Sequence, residues 1–155
     1  MSACLWNDID VYLAAAVVTE MGSTLTLPIQ QVLTAERLNL VELTLPAVLV
    51  AGWVAESDAG SHGDGVVHVD ERYLYTLAAI CDSATVAGAR SDALELRRRL
   101  RGLITSRVAL GCLTSSDGER VTHTRINRSN VEVSGPTRCR YIGTATVELD
   151  VFTEI

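Results

Sequence analysis

The chain has 155 residues, of which 48% are hydrophobic and 21% charged, so it is long enough for one folded domain and too apolar for a disordered protein. Its net charge of −6 excludes general affinity for nucleic acid, which depends on neutralising phosphates. No apolar run reaches the roughly 18–20 residues of a membrane-spanning helix, and the N-terminus lacks the basic residues of a secretory signal. We therefore expect a single soluble domain spanning residues 1–155 that acts in the cytoplasm or in a particle assembled there.

The charges are divided unevenly along the chain, and every basic residue is an arginine. Residues 1–85 hold two arginines against eleven acids, a net charge of −9. Residues 86–155 hold eleven arginines against eight acids, a net charge of +3. Because opposite patches on one surface can meet on neighbouring copies of a chain, this division favours self-association.

The N-terminal region is predicted to be helical. Residues 7–21 carry apolar side chains at spacings of four, three and one, which is typical of a helix that buries one stripe. The stripe comprises Ile9, Leu13, Ala16 and Val17. Gly22 follows where helices commonly end. Pro28 predicts the start of a short second helix that continues to about Asn39.

Two strands joined by a loop are predicted at 46–81. Pro46 is followed by a short apolar run rich in β-branched residues, which is typical of a central strand. Residues 57–65 contain three glycines and are interpreted as a flexible connection. A second strand is predicted from about Val66 to Cys81, and we expect the two strands to pair antiparallel across the loop.

The clearest helix covers residues 84–107. Its apolar residues follow a rhythm of four and three, which predicts one buried face, at Ala89, Ala93, Leu96, Leu100 and Leu103. Arginines lie away from that stripe with Leu94 among them, so the exposed face is predicted to be strongly basic.

Residues 112–155 are predicted to be strands. Asp117 and Gly118 form a hairpin-turn signal, followed by a strand from about Glu119 to Arg128. After a break at 134–136, an alternating pattern predicts a regular strand over 140–153. The order of elements favours an α+β domain, with a mostly antiparallel sheet and helices packed on one face.

The sequence contains no recognisable motif for catalysis, cofactors or metals. A P-loop needs a lysine, which the chain lacks, and neither G-x-S-x-G nor H-E-x-x-H occurs. The four cysteines lack C-x-x-C spacing and are interpreted as reduced, mostly buried thiols. We therefore expect no enzyme activity, no catalytic residues, no cofactor and no metal.

The basic helix has three interpretations. A solvated face is the default, a charged subunit interface is the second, and a nucleic-acid contact is the third, although interleaved aromatic residues are missing. As an interface, it offers an apolar anchor within a polar rim, formed by Leu94, Arg97, Arg98 and Arg101. The complementary patch on the next subunit is expected in the acidic half of the chain, at Glu56, Asp58, Asp70 and Glu71.

The glycine-rich loop supports an alternative of a different class. It places a histidine close to an aspartate, a combination that also occurs in acid–base and metal sites. No sequence pattern, however, identifies a nucleophile or a residue that would orient the histidine. A mobile hairpin loop is therefore the preferred interpretation. A pocket lined by His62, Asp64 and Arg72 would instead favour a small cytoplasmic enzyme or ligand-binding domain that uses the 57–65 loop.

Over roughly residues 46–155, the order of elements resembles that of the tail terminator and tail-completion proteins of long-tailed bacteriophages. The resemblance rests on a Pro-Ala-Val-Leu-Val strand, a tyrosine-containing strand, an alanine-to-arginine helix and an alternating strand close to the C-terminus. These segments lie at 46–50, 73–77, 93–104 and 144–151.

The resemblance implies a non-catalytic virion protein with a small α/β sandwich fold, assembled in the host cytoplasm. Such proteins form rings, often hexamers, that cap the tail tube and join it to the neck. The implied partners are other copies of the chain, the tail tube protein and a neck or head-completion protein. DNA would pass through without specific binding, and no membrane is involved. Head-completion stoppers and adaptors of the neck are the related alternatives.

Overall fold

The computed structural model describes residues 5–34, 43–61, 67–106 and 118–154. Within these ranges the chain forms two helices and five strands. In chain order they are α1 (Leu5–Met21), β1 (Gln31–Thr34), β2 (Ala47–Ser61), β3 (Val67–Ser83), α2 (Val86–Ser106), β4 (Arg120–Thr137) and β5 (Arg140–Glu154). Neither helix is both long and apolar enough to cross a membrane.

The five strands form one sheet in the order β1-β2-β3-β5-β4. β1 pairs parallel with β2, and the three other pairings are antiparallel. Helix α1 packs on β1 and β2, whereas α2 packs on β3, β4 and β5. The prediction of an α+β fold with a mostly antiparallel sheet and helices on one face is therefore confirmed.

The core lies between the helices and one face of the sheet. Alternate residues of the central strands point into it, because successive side chains of a strand face opposite ways. The buried set includes Tyr73, Tyr75, Leu77, Ala79 and Cys81 from β3, and Ala145, Val147, Leu149 and Val151 from β5. The predicted helical stripes meet them with Ile9, Leu13 and Val17 from α1 and with Ala93, Leu96 and Leu100 from α2.

The predicted helix at 28–39 is wrong. Residues 31–34 form strand β1, which pairs in register with residues 47–50 of β2. The amide of Gln30 also donates a hydrogen bond of 2.8 Å to the carbonyl oxygen of Pro46. Parallel pairing with a distant strand thus overrides the local helix-start signal of Pro28. Residues 35–39 lie outside the described part of the chain.

Two predicted breaks in the strands are also corrected. Residues 57–61 belong to β2 and pair with residues 67–71, so most of the predicted 57–65 loop that the structure describes is strand. Strand β4 continues through 134–136, where only its register shifts, and ends at Thr137. The chain reverses instead at Arg138 and Cys139, which have φ values of 51° and 63°. Positive φ at both central residues is the requirement of a type I′ hairpin turn.

The cysteines divide by environment. Cys81 is buried and Cys139, at the hairpin turn, is exposed, so the expectation of mostly buried thiols is wrong for Cys139. Cys4 and Cys112 lie outside the described residues.

Candidate assembly surfaces

One side of helix α2 carries arginines that lie over the edge of the sheet. Nε of Arg97 donates a hydrogen bond of 3.0 Å to Oγ of Ser129 in β4, and Nη1 of Arg101 donates one of 3.3 Å to the same oxygen. The two arginines therefore project together from the helix, one turn apart, as their spacing predicts. In the part of the chain that the structure describes, neither makes an ion pair.

These arginines share their side of α2 with two exposed apolar residues. Leu94 is 43% exposed and Val86 is 50% exposed. The arginine stripe, as we name it, comprises Val86, Arg90, Leu94, Arg97 and Arg101. An apolar anchor surrounded by guanidinium groups is the composition expected of a protein contact.

Arg98 and Arg99 differ from the stripe because both pair with Glu95 of the same helix. Arg98 is 72% exposed and pairs with Glu95 at 2.6 Å, and its hydrogen bond lowers the pKa of that carboxyl below the ordinary value. Arg99 is only 15% exposed, pairs with Glu95 at 3.1 Å and donates a 3.1 Å hydrogen bond to the carbonyl oxygen of Leu27. Arg98 thus lies beside Leu94 with its charge paired, and Arg99 ties α2 to the loop after α1. The run of arginines in the sequence does not distinguish these roles.

The sheet face away from the helices carries a ladder of cross-strand ion pairs. β4 supplies the arginines and β5 the carboxylates, in the pairs Arg120–Glu154 at 2.6 Å, Arg125–Asp150 at 2.8 Å and Arg128–Glu148 at 2.9 Å. Arg72 of β3 also pairs with Asp150 at 3.4 Å. The carboxylate of Asp150 is fully buried, and the two arginines compensate its loss of contact with water. The arginines of β4 are therefore neutralised within the chain.

An aromatic contact lies beside this ladder. The rings of His123 and Phe152 are stacked with their centroids 4.2 Å apart, and the guanidinium of Arg125 lies 5.5 Å from the centroid of Phe152. The alternating sequence of β5 predicts which residues share a face, but only the register with β4 brings these partners together.

The four acidic candidates lie in β2 and β3, and the structure gives their positions in the sheet. Asp58 and Asp70 are register partners, and Asp70 is also the partner of Glu154 in β5. The register partner of Glu56 is Arg72. The register partner of Glu71 is Ser57. The strand register thus makes Asp58 and Asp70 partners of each other, whereas Glu56 and Glu71 each pair with a residue outside the acidic set.

The outward side of helix α1 is apolar. Val11 is 68% exposed and Val18 is 56% exposed, with exposed Ala15 between them on the same side of the helix. The charged residues of α1 are Asp8, Asp10 and Glu20, and the helix contains no basic residue. The helical spacing of residues 7–21 predicts the inward stripe alone, since the outward apolar residues are not needed to predict the helix.

The alternative pocket at the 57–65 loop gains no support from the one member that the structure describes. Arg72 pairs with Asp150 on the sheet face, whereas His62 and Asp64 lie outside the described residues. A buried polar cluster occurs elsewhere, where hydroxyls of Tyr73 and Thr153 donate hydrogen bonds of 2.6 and 2.8 Å to Oε1 of Glu119. Among the residues described, no group of three or more His, Cys, Asp or Glu side chains is arranged to hold a metal ion.

Comparison with known proteins gives only distant likenesses. No family model matches the sequence, and no curated protein matches it. One similar solved structure is a chain of the virion of a native gene transfer agent particle, with 16% identity and a TM-score of 0.38, covering 96% of this chain and 92% of that one. A second solved structure has 13% identity and a TM-score of 0.35, covering 91% of this chain and 94% of the other.

Proposed function

We propose that the chain is a structural virion protein whose copies form a ring, and that this ring ends the tail tube and joins it to the neck. The order of elements that resembles tail terminator proteins motivates the proposal, and the α+β fold agrees with what that resemblance implies. The observation that carries it is the exposed surface of the helix layer. There an apolar helix side and an arginine stripe without ion-pair partners in the described chain lie on one subunit.

The positions of the candidate residues favour a contact between unlike surfaces. The arginine stripe lies on α2 in the basic half of the chain, whereas α1 and strands β1, β2 and β3 belong to the acidic half, residues 1–85. A contact between two different surfaces of identical chains is head-to-tail, and such contacts generate closed rings when the rotation between subunits closes. In this proposal, the basic half of one subunit attracts the acidic half of its neighbour.

The proposed partners are other copies of the chain, the tail tube protein and a neck or head-completion protein. The proposed role is mechanical, with no reaction catalysed and no cofactor bound. DNA passes through the ring without specific contacts, which suits the acidic overall balance of −6. A stopper or adaptor of the neck would use the same surfaces but would bind the head side of the junction instead of the tube end.

Electron microscopy of the purified full chain tests the proposal, combined with light scattering after size exclusion at micromolar concentration. We expect closed rings of uniform mass and, after purified tail tubes of the same particle are added, rings at the tube ends. Rings that bind capsid portals but ignore tube ends would indicate the stopper or adaptor role. A monomer that stays monomeric with tubes present would overturn the proposal.

A further inference from the structure

Helix α1 has more apolar surface than its own domain covers. Ile9, Leu13 and Val17 fill the core, yet Val11 and Val18 on the other side are 68% and 56% exposed. Val11, Ala15 and Val18 follow one another at spacings of four and three, which places them on one seam along the helix. An exposed apolar seam of this kind marks a surface where another element binds. None of the described residues covers it, so a second copy of the chain is the candidate for the covering element.

Charge decides which element fits the seam. Asp8 lies one turn before Val11 at the end of the seam, and α1 contains no basic residue that could pair with it in a second copy of α1. The arginines of β4 on the sheet face already pair with carboxylates of β5. The arginine stripe of α2 differs, because Arg90, Arg97 and Arg101 make no ion pairs with described residues.

The arginine stripe also has apolar contacts to offer. Val86 and Leu94 are 50% and 43% exposed within it. An acidic helix with an apolar seam and a basic helix with apolar anchors are complementary in both charge and hydrophobicity. The second copy of the chain thus carries the surface that the α1 seam lacks.

We propose that helix α1 of one copy packs through Val11, Ala15 and Val18 against the arginine stripe of helix α2 in the next copy. This inference rests on the proposed function, namely that copies self-associate, and adds which surfaces meet. α1 lies over β1 and β2, and α2 lies over β3, β5 and β4, so the two surfaces belong to different parts of the helix layer. Each subunit engages one neighbour with α1 and another with α2, which makes the contact head-to-tail.

A matched pair of substitutions at one exposed position tests the charge of the surface that packs on the α1 seam. Val18→Arg and Val18→Glu both remove the apolar contact, but arginine also faces the arginine stripe with a like charge, whereas glutamate faces it with an opposite one. We expect the dissociation constant of the assembly to be at least about tenfold higher for Val18→Arg than for Val18→Glu. Leu43→Arg is the matched control, since Leu43 is an exposed apolar residue outside both surfaces, and should assemble like the parent.

Rescue identifies the arginine stripe as the partner. Arg97→Glu combined with Arg101→Glu makes the stripe acidic, so chains that carry this change should assemble with Val18→Arg chains when the two are mixed. Each preparation alone should assemble weakly. Full-length proteins are compared by sedimentation velocity at matched concentration and salt, and circular dichroism melts verify that each variant folds. Val11→Arg and Val11→Glu repeat the pair at a second position if either Val18 variant fails to fold.

The outcomes separate this inference from the proposed function. A parent chain that is monomeric at all concentrations, with and without tail tubes, overturns both. A parent that forms rings, with Val18→Arg assembling as well as Val18→Glu or better, overturns the α1 seam as the interface and leaves the ring intact. Loss of assembly in Val18→Arg without rescue on mixing overturns the arginine stripe as its partner. Weakening followed by rescue supports the inference.

Discussion

Gly143 of β5 lies directly beneath the start of helix α2, and we predict that alanine at this position destabilises the fold. A Cβ atom on Gly143 would lie 2.5 Å from the carbonyl oxygen of Ala89 and 3.0 Å from Sγ of Cys81. The carbonyl belongs to the backbone of α2 and cannot rotate away, so the first turns of the helix must move off the sheet. Overpacking of this kind costs about 1–3 kcal/mol. For a chain of this size, each kcal/mol lowers the melting temperature by about 2–4 °C.

Gly102 provides a matched control for the same chemical change. A Cβ atom on Gly102 would meet nothing within 4 Å, and the residue lies inside helix α2. Alanine exceeds glycine in helix propensity by about 1 kcal/mol, so Gly102→Ala should raise the melting temperature by about 2–4 °C. Thermal melts followed by circular dichroism measure both variants. If Gly143→Ala melts at or above the temperature of the parent, α2 does not approach β5 as closely as the structure has it.

The surfaces, the thiols and the hairpin turn give further predictions. Arg97→Glu with Arg101→Glu should keep the circular dichroism spectrum while reducing the mass of the assembly, and an unchanged mass would indicate a solvated face. Burial raises the pKa of the Cys81 thiol to about 11, so alkylation near pH 8 should modify exposed Cys139 and spare Cys81 in peptide mass spectra until the protein is denatured. Arg138→Asn with Cys139→Gly should stabilise the fold by about 1 kcal/mol, because both positions have positive φ, and a lower melting temperature would contradict a type I′ turn. A chelator should leave the melting temperature unchanged, and a drop of more than about 5 °C would reveal a metal site.

Elements with a strong local period were predicted from the sequence with little error. The predicted helix at 84–107 is α2 at Val86–Ser106, and the predicted strand at 140–153 is β5 at Arg140–Glu154. Both patterns are amphipathic over many residues, so only one type of secondary structure places all their apolar side chains on one buried face. The 7–21 helix was also correct, yet the seam of Val11 and Val18 on its outer side went unnoticed, since the inward stripe alone was enough to predict the helix.

The candidate surfaces were only partly accessible to sequence reasoning. The basic side of α2 was predicted, and Arg97 and Arg101 do project together, but Arg98 and Arg99 pair with Glu95 of the same helix. Helical spacing fixes the direction of each arginine, whereas its partner depends on which element lies beside that direction. The register partners of the predicted acidic residues follow from the pairing of β2 with β3, which no local pattern specifies.

The sequence by itself determined the class of fold, the long basic helix and the regular C-terminal strand. Hydrophobic periodicity is a local property of the sequence, and burial of the periodic apolar side chains stabilises the matching helix or strand. The tertiary structure alone decided that residues 31–34 form a strand, because their backbone pairs with residues 47–50 of β2. It also decided that the chain turns at 138–139 and that Asp150 is buried between Arg72 and Arg125. Each of these features depends on the pairing of strands, which no local periodicity specifies, and the free energy of such pairing appears only once the sheet has formed.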